Sequence, residues 1–280
     1  MTNRPRALRV ALVTLLLAVG LPAWASSAAT YAEGIDVSHW QGTISWPTVA
    51  ASGKTFAFLK ATQGTTYLDA TYATNRSGAN ANGLPVGAYH FADVTKTPTQ
   101  VGGARAEAEW FVANGAFRAG DLPPVLDIEQ NNGLGTLALT NWVMTWLERV
   151  RQLTGIYPMI YTSPGGWNAR FGSDGNVVAQ SGYGLLWVAD WRGNLAPEVP
   201  ANNWNGKGWT FWQYTSSGSV PGISGNVDLD RYNGTDPTPL RLTTLAISKL
   251  SVEGKTGGVQ QDGLGGFCNG TCTATTRCSR

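Results

Sequence analysis

The segment Leu122-Pro-Pro-Val-Leu-Asp-Ile-Glu129 is where residue types and spacing speak most directly of chemistry. Side chains alternate along an extended chain, so Val125, Asp127 and Glu129 share one face while Leu126 and Ile128 share the other. Two strand rises put the Cα atoms of the two acids about 6.5–7 Å apart, a spacing that lets their carboxyls flank one glycosidic bond. Hydrolysis of such a bond needs one carboxylic acid that stays protonated for the leaving oxygen, and a second group that stabilises the oxocarbenium-like centre. A crowd of carboxylates in a partly desolvated mouth is one way to keep that proton. A bare Asp-x-Glu serves equally well as a helix cap or a loop anchor. Asp36 and Asp228, near the ends of other strand-like runs, tip the balance, because four acids gathered without a function repel one another at a cost in stability.

These acids need elements to hold them. Eight short strand-like runs occur in order, bounded by Gly, Pro or polar residues: 34–40, 55–62, 85–92, 123–129, 156–163, 184–191, 209–214 and 227–232. Helical patterns fill several of the gaps, at Asp69–Gly83, Thr99–Gly115 and Thr136–Gly155. The third is the strongest, with Leu139, Trp142, Val143, Trp146, Leu147 and Val150 on one face. Strands alternating with helices predict a parallel sheet, and eight of them predict a closed α/β barrel of the TIM-like (β/α) type. The gaps after Trp191 and Tyr214 are rich in Gly, Asn and Ser, so the helical coat is expected to be incomplete in the second half. In parallel barrels reactive groups project from the C-terminal ends of strands. Those ends offer Asp36, Lys60, Tyr89-His90, Asp127, Glu129, Tyr161, Asp190-Trp191, Gln213 and Asp228.

Aromatics accompany the acids. Trp40, Tyr89, Tyr161, Trp191, Trp212 and Tyr214 fall at strand ends, whereas Trp110, Trp142 and Trp146 have the spacing of a helix core. Sugar rings present apolar C–H faces that stack on aromatic planes, so an acidic groove lined by Trp and Tyr suits an oligosaccharide, with two or three of these rings in contact.

Composition excludes other classes. Arg4, Arg6 and Arg9, the apolar run Val10–Leu21 and Ala23-Trp-Ala25 read as a signal peptide over residues 1–25, and the mature protein is expected outside the cell without membrane insertion. A catalytic domain is then expected over 26–236, with a linker and a poorly ordered tail over 237–280. Of the overall net charge of +2, the leader carries +3 and the tail a net +3, which leaves −4 for the domain between them. That balance lacks the basic stripe of nucleic-acid binding. All three cysteines, Cys268, Cys272 and Cys278, lie in the tail, so the central domain has no thiol nucleophile and no thiolate metal site. His39 and His90 are the only histidines, too few for a three-histidine metal centre and not spaced as H-x-x-x-H. His90, beside Tyr89, is placed to help orient the site. No G-x-S-x-G or G-x-G-x-x-G follows a strand. No metal and no cofactor are expected, and the domain is expected to act as a monomer.

Five motifs in order, Gly34-Ile-Asp-Val-Ser-His-Trp-Gln-Gly42, Phe58-Leu-Lys-Ala-Thr-Gln-Gly64, Gly87-Ala-Tyr-His-Phe91, Pro124-Val-Leu-Asp-Ile-Glu129 and Val227-Asp-Leu-Asp230, resemble those of the glycoside hydrolase family 25 lysozymes, the Chalaropsis-type N-acetylmuramidases. The resemblance runs from about Tyr31 to Asp236. It implies a flattened β/α barrel and cleavage of the β-1,4 bond between N-acetylmuramic acid and N-acetylglucosamine in peptidoglycan glycan strands. By motif, Glu129 is implied as the acid that protonates the leaving oxygen and Asp127 as its partner, orienting the substrate's acetamido group or stabilising charge. Asp36 and Asp228 complete the acidic cluster, and Tyr89, Tyr161, Trp191 and Gln213 are implied as groove residues. Many members of that family carry an acid where Gln63 stands, and the cysteine-bearing tail does not resemble their wall-targeting repeats.

Three rival readings remain open. A chitinase-like glycosidase also presents Asp-x-Glu at a strand end, but such enzymes extend the motif with an upstream Asp, where this chain has Val125. Loss of a catalytic acid would signal a non-catalytic glycan-binding module, and both acids are present here; a structural wall protein predicts binding without release of reducing ends.

Overall fold

The computed structural model describes Met1, residues 31–96 and residues 99–243. The signal-like leader and the three cysteines lie outside the described residues. All of the described elements belong to a unit that starts at Tyr31.

Along the chain run β1 (Ala32–Val37), α1 (Trp46–Ala51), β2 (Phe56–Gln63), β3 (Tyr67–Leu68), α2 (Tyr72–Ala81), β4 (Val86–Phe91), α3 (Gln100–Asn114), β5 (Val125–Asp127), α4 (Thr136–Thr154) and β6 (Met159–Thr162). There follow α5 (Pro164–Phe171), α6 (Asn176–Gln180), β7 (Leu186–Ala189), the helical turn α7 (Pro200–Asn205), β8 (Phe211–Gly218) and β9 (Val227–Tyr232). The three helices expected from periodicity are α2, α3 and α4. Thr99 caps α3 by accepting from Gly102 N, and Gly155 ends α4 in the left-handed conformation that costs a glycine little.

The strands pair in the order β1-β9-β8-β7-β6-β5-β4-β2-β3, and a further β1–β2 pairing closes eight of them into a barrel. The ninth, β3, is a two-residue hairpin partner of β2. Neighbours from β1 through β2, β4, β5, β6 and β7 to β8 run parallel. The last strand corrects the all-parallel expectation, because β9 is antiparallel to both β8 and β1. Only eight residues separate β8 from β9, too few for the dozen or more that a parallel crossover requires. The beginning of β9, with Asp228, therefore lies beside the C-terminal ends of the other strands, where Asp228 pairs with Asp36.

Strand alternation sorts the core into two layers. Phe56, Phe58, Tyr89, Val125, Met159, Tyr161, Trp187 and Phe211 fill the barrel interior, with Phe58 stacked on Trp187 at 4.4 Å. Leu126, Ile128, Ile160, Leu186 and Val188 face outward and pack with Trp142, Trp146 and Phe111 of the helices. Trp110, expected in that core, is only half-buried and donates its indole N–H to the Tyr67 carbonyl. The coat thins after β7 as expected. Among the described residues only α7, with Ala201–Trp204 at φ between 51 and 55°, and a short 3-10 turn at Thr238–Leu240 follow, and no helix bridges β8 and β9. Three of the five left-handed residues there are asparagines, which tolerate that region better than most side chains. Beyond β9 the chain stays on the barrel: Leu242 is buried, donates to Asp121 O and accepts from Gly120 N. No helix among the described residues is long and apolar enough to cross a membrane.

Candidate active site

The inward positions of the strand ends meet at one mouth. β1 brings Asp36, β2 Lys60, β4 Tyr89, β6 Tyr161, β8 Gln213, and β9 Asp228 and Asp230; β5 and the residues just after it bring Asp127 and Glu129. Val125 lies in the interior layer and Leu126 and Ile128 in the outer one, so Asp127 faces inward as alternation requires. Its backbone is locked by parallel pairing with Tyr161 on β6 and with Phe91 on β4.

The two acids differ in setting. Asp127 is buried, and its Oδ1 has no hydrogen-bond partner within the protein. Glu129 lies open to solvent on one side and is walled by protein on the other. Burial raises the pKa of Asp127 well above the usual carboxylate range, and the nearby charge of Glu129 raises it further, with Lys60 and Arg170 opposing. Burial also raises Glu129, against the pull of Arg170, the Tyr161 hydroxyl and Lys60. Burial thus shifts both carboxyls in the direction that favours the protonated acid, the form a general acid needs.

A hydrogen-bonded chain links the other groove residues. The Tyr161 hydroxyl and the Trp191 indole N–H both donate to Gln213 Oε1, at 2.9 and 3.0 Å, and Gln213 Nε2 donates to Asp36 Oδ2 at 2.7 Å. Gln213 thus ties two aromatics to one acid. Asp36 is raised by burial first, then by the charges of Asp230 and Asp228. Asp228, at the rim, is raised to about 6, chiefly by burial and then by Glu129. The Tyr89 hydroxyl is likewise pushed up by burial, then by Asp36 and Asp127. Lys60 is the cation among these acids, donating to Gln63 Oε1 at 2.7 Å; Gln63 in turn donates to Asp93 at 3.0 Å. The neutral Gln63 therefore leaves the charge of Lys60 to the barrel acids, and burial lowers its pKa against the opposing pull of Asp127.

Two aromatics are open to a ligand at the rim. Trp40 is 80% and Trp191 56% exposed. Trp40 stands on a short turn, His39–Gln41, closed by a reciprocal Ser38–Gln41 capping box, and its ring lies 4.6 Å from the imidazole of His39. His39 is anchored through its backbone N–H and Nδ1 to Asp69.

Other strand-end residues turn away from the mouth. His90 faces the helices, bonded to Thr62 Oγ1 and to Glu107 Oε2 and stacked on Trp146, so it braces the shell and does not orient the site. Asp190 points outward and holds the following loop through Arg192 and the Glu198 N–H. Trp212 is buried in the outer layer with its indole N–H on Asp190 O, and Tyr214 bonds Glu33 on the outer face.

Two neighbours of the acidic mouth escaped sequence reasoning. Asp230 is fully buried, accepts from Trp187 Nε1 at 2.8 Å, and has a second oxygen without a partner. Burial raises it well above the usual range. The alternation that found Asp127 and Glu129 also pairs Asp228 with Asp230, so that signal was present. Arg170, on α5, had no such signal. A separate cavity of about 460 Å³ on the outer side of α4, lined by Glu148, Arg151, Tyr157 and Tyr183 among others, contains none of the barrel acids.

An eight-stranded α/β barrel with two carboxylates among further acids and exposed tryptophans at its mouth defines a glycoside hydrolase architecture. The chain belongs to glycosyl hydrolases family 25, whose sequence profile matches residues 35–223. It is 41% identical over 212 residues to lysozyme M1 of Streptomyces globisporus, covering 72% of this chain and 68% of that protein. It is 30% identical over 215 residues to the N,O-diacetylmuramidase of Chalaropsis sp, covering 70% and 95%. The crystal structure of the bacterial lysozyme from Streptomyces coelicolor superimposes with a TM-score of 0.65 at 36% identity, covering 79% of this chain and 97% of that one.

Proposed function

We propose that the protein is a secreted muramidase that hydrolyses the β-1,4 bond between N-acetylmuramic acid and N-acetylglucosamine in peptidoglycan. The observation that carries this reading is the pairing of a solvent-facing Glu129 with a buried, partly unpartnered Asp127 on one strand end. Glu129 is the acid a substrate can reach, and it protonates the leaving oxygen. Asp127 keeps a free acceptor beside it for the substrate's acetamido group or for developing positive charge. Asp36, through Gln213, and Asp230, through Trp187, hold the interior side chains in place, and Asp228 at the rim adds negative charge once it ionises above about pH 6, which favours an oxocarbenium-like centre. Trp40 and Trp191 offer ring faces to sugars on either side of the acids. The names of the relatives, lysozyme and N,O-diacetylmuramidase, support the choice of polymer. Secretion rests on the leader at residues 1–25, and the enzyme acts as a monomer on wall glycan strands.

Comparative turnover tests the reading against a chitinase-like activity. The protein is expected to release reducing ends from peptidoglycan fragments much faster than from chitin oligomers of equal length. Preference for the chitin oligomers assigns the barrel to the other glycan, and binding without release makes it a non-catalytic module.

A further inference from the structure

Arg170 is a half-buried arginine with no ion pair among the described residues. Removing a cation from water without a counter-charge in contact is costly, so its placement calls for a compensating interaction. Its Nη2 donates to the Ile128 carbonyl at 3.1 Å and to Thr162 Oγ1 at 3.3 Å, while its buried Nε has no partner. Ile128 is the residue between Asp127 and Glu129. Thr162 Oγ1 also donates to that carbonyl at 3.3 Å, and Ile128 N donates to Tyr161 O at 3.1 Å. The peptide that sets the spacing of the two acids is thus fixed from both ends, just past the last residue of β5.

The neighbouring chain makes room for this arginine. A Cβ at position 166 would come within 2.5 Å of Arg170 Nη2 and 2.6 Å of Ser163 Oγ, so Gly166 leaves the guanidinium its path along the first turn of α5. We propose that Arg170 is a positioning residue of the proposed muramidase site: its guanidinium holds the Ile128 carbonyl, and with it the Asp127–Glu129 geometry, and sets a fixed positive charge behind both carboxylates.

The inference rests on the proposed roles of those two acids. The charges that bear on Arg170 are those of Glu129 and Asp127, which oppose the lowering of its pKa by burial. On the elements packed against α5, Asp174 is engaged by Thr136 Oγ1, and Glu148 and Arg151 of α4 pair with each other. The two acids face Lys60 from β2, Tyr161 from β6, Tyr89 from β4, Asp36 from β1 and Asp228 from β9. Lys60 and Arg170 are the cations with a resolved influence on Asp127.

A positive charge behind the pair favours its ionised forms, so removing that charge raises both titrations. The test is the pH profile of kcat/KM on soluble peptidoglycan fragments for the full-length protein and for Arg170→Met, Arg170→Lys and Gly166→Ala, with folding checked by circular dichroism. Arg170→Met is expected to lose at least about tenfold in kcat and to move both limbs upward by roughly half a pH unit or more. Arg170→Lys is expected to return the limbs toward their original positions while kcat stays depressed, because it keeps the charge and loses the planar fork. Gly166→Ala displaces the guanidinium without changing charge and is expected to depress kcat. If Arg170→Met misfolds, the Lys and Ala variants still decide the matter: full kcat in both overturns the proposal. A folded Arg170→Met with unmoved limbs overturns it as well, while leaving the muramidase reading intact. That reading fails separately, if Glu129→Gln keeps its activity.

Discussion

Gln is nearly the same size and shape as Glu but has no carboxylic proton to give, so Glu129→Gln isolates the proton from the geometry. We expect it to fold normally and to lose at least about 10² in kcat on soluble fragments, the loss typical of removing a general acid. A folded variant with near-native turnover would remove Glu129 from the mechanism. Trp40 makes a different kind of prediction. Its ring is mostly exposed on a turn closed by its own capping box, so Trp40→Ala should leave the fold intact. If the ring is a sugar platform, its loss weakens binding by roughly 1 kcal/mol, about fivefold in KM with little change in kcat. An unchanged KM would make the ring a bystander. At this scale the alternation along β5 was enough to face Asp127 inward from sequence alone. The same reasoning did not separate Trp191 from Trp212, because both lie near a strand end and only the parity of each strand decides which one faces the groove. Arg170 was illegible: it arrives from a helix, and its role depends on a carbonyl that no residue pattern reveals.

Helix α3 shows how tightly the elements bind the site's supports. Gly103, in its first turns, packs against the loop after β4, and a Cβ there would fall on the Thr95 carbonyl. That loop is held by Glu107, which accepts from Asp93 N, Thr95 N and His90 Nε2. Backbone cannot yield as a side-chain tip can, so Gly103→Ala is expected to cost about 1–3 kcal/mol in unfolding free energy, measured by chemical denaturation. A neutral result would show that helix and loop shift together freely. Helix boundaries at Thr99, Gly83 and Gly155 were legible because caps and left-handed glycines are local signals. The direction of β9 was not. The strand-like run in the sequence ends at Tyr214, whereas β8 continues to Gly218, and the length left before Val227 permits only a hairpin.

Across the whole molecule the buried acids predict how stability depends on pH. Asp36, Asp127 and Asp230 are raised by burial and Asp228 is raised to about 6, so the folded protein retains protons that the unfolded chain releases near pH 4. Their contribution is therefore most favourable below pH 4 and is lost as pH climbs through the folded values. Asp190, held to about 2 by Arg192, acts oppositely: its contribution is present above pH 4 and lost as pH falls toward 2. The thermal midpoint should peak in the mildly acidic range and decline toward pH 8. Asp230→Asn keeps an oxygen for Trp187 and removes the charge, so it should gain stability over the parent at pH 8 and little at pH 4. An equal change at both pH values would mean that Asp230 carries no such penalty. The acidic mouth of the barrel and the membership of glycosyl hydrolases family 25 support one claim: that this enzyme cuts peptidoglycan on the muramic acid side. Its most direct test is digestion of purified peptidoglycan followed by borohydride reduction and identification of the newly formed reducing-end sugar. Reduced N-acetylmuramic acid is the expected product, whereas new N-acetylglucosamine ends, or no new reducing ends at all, would overturn that claim.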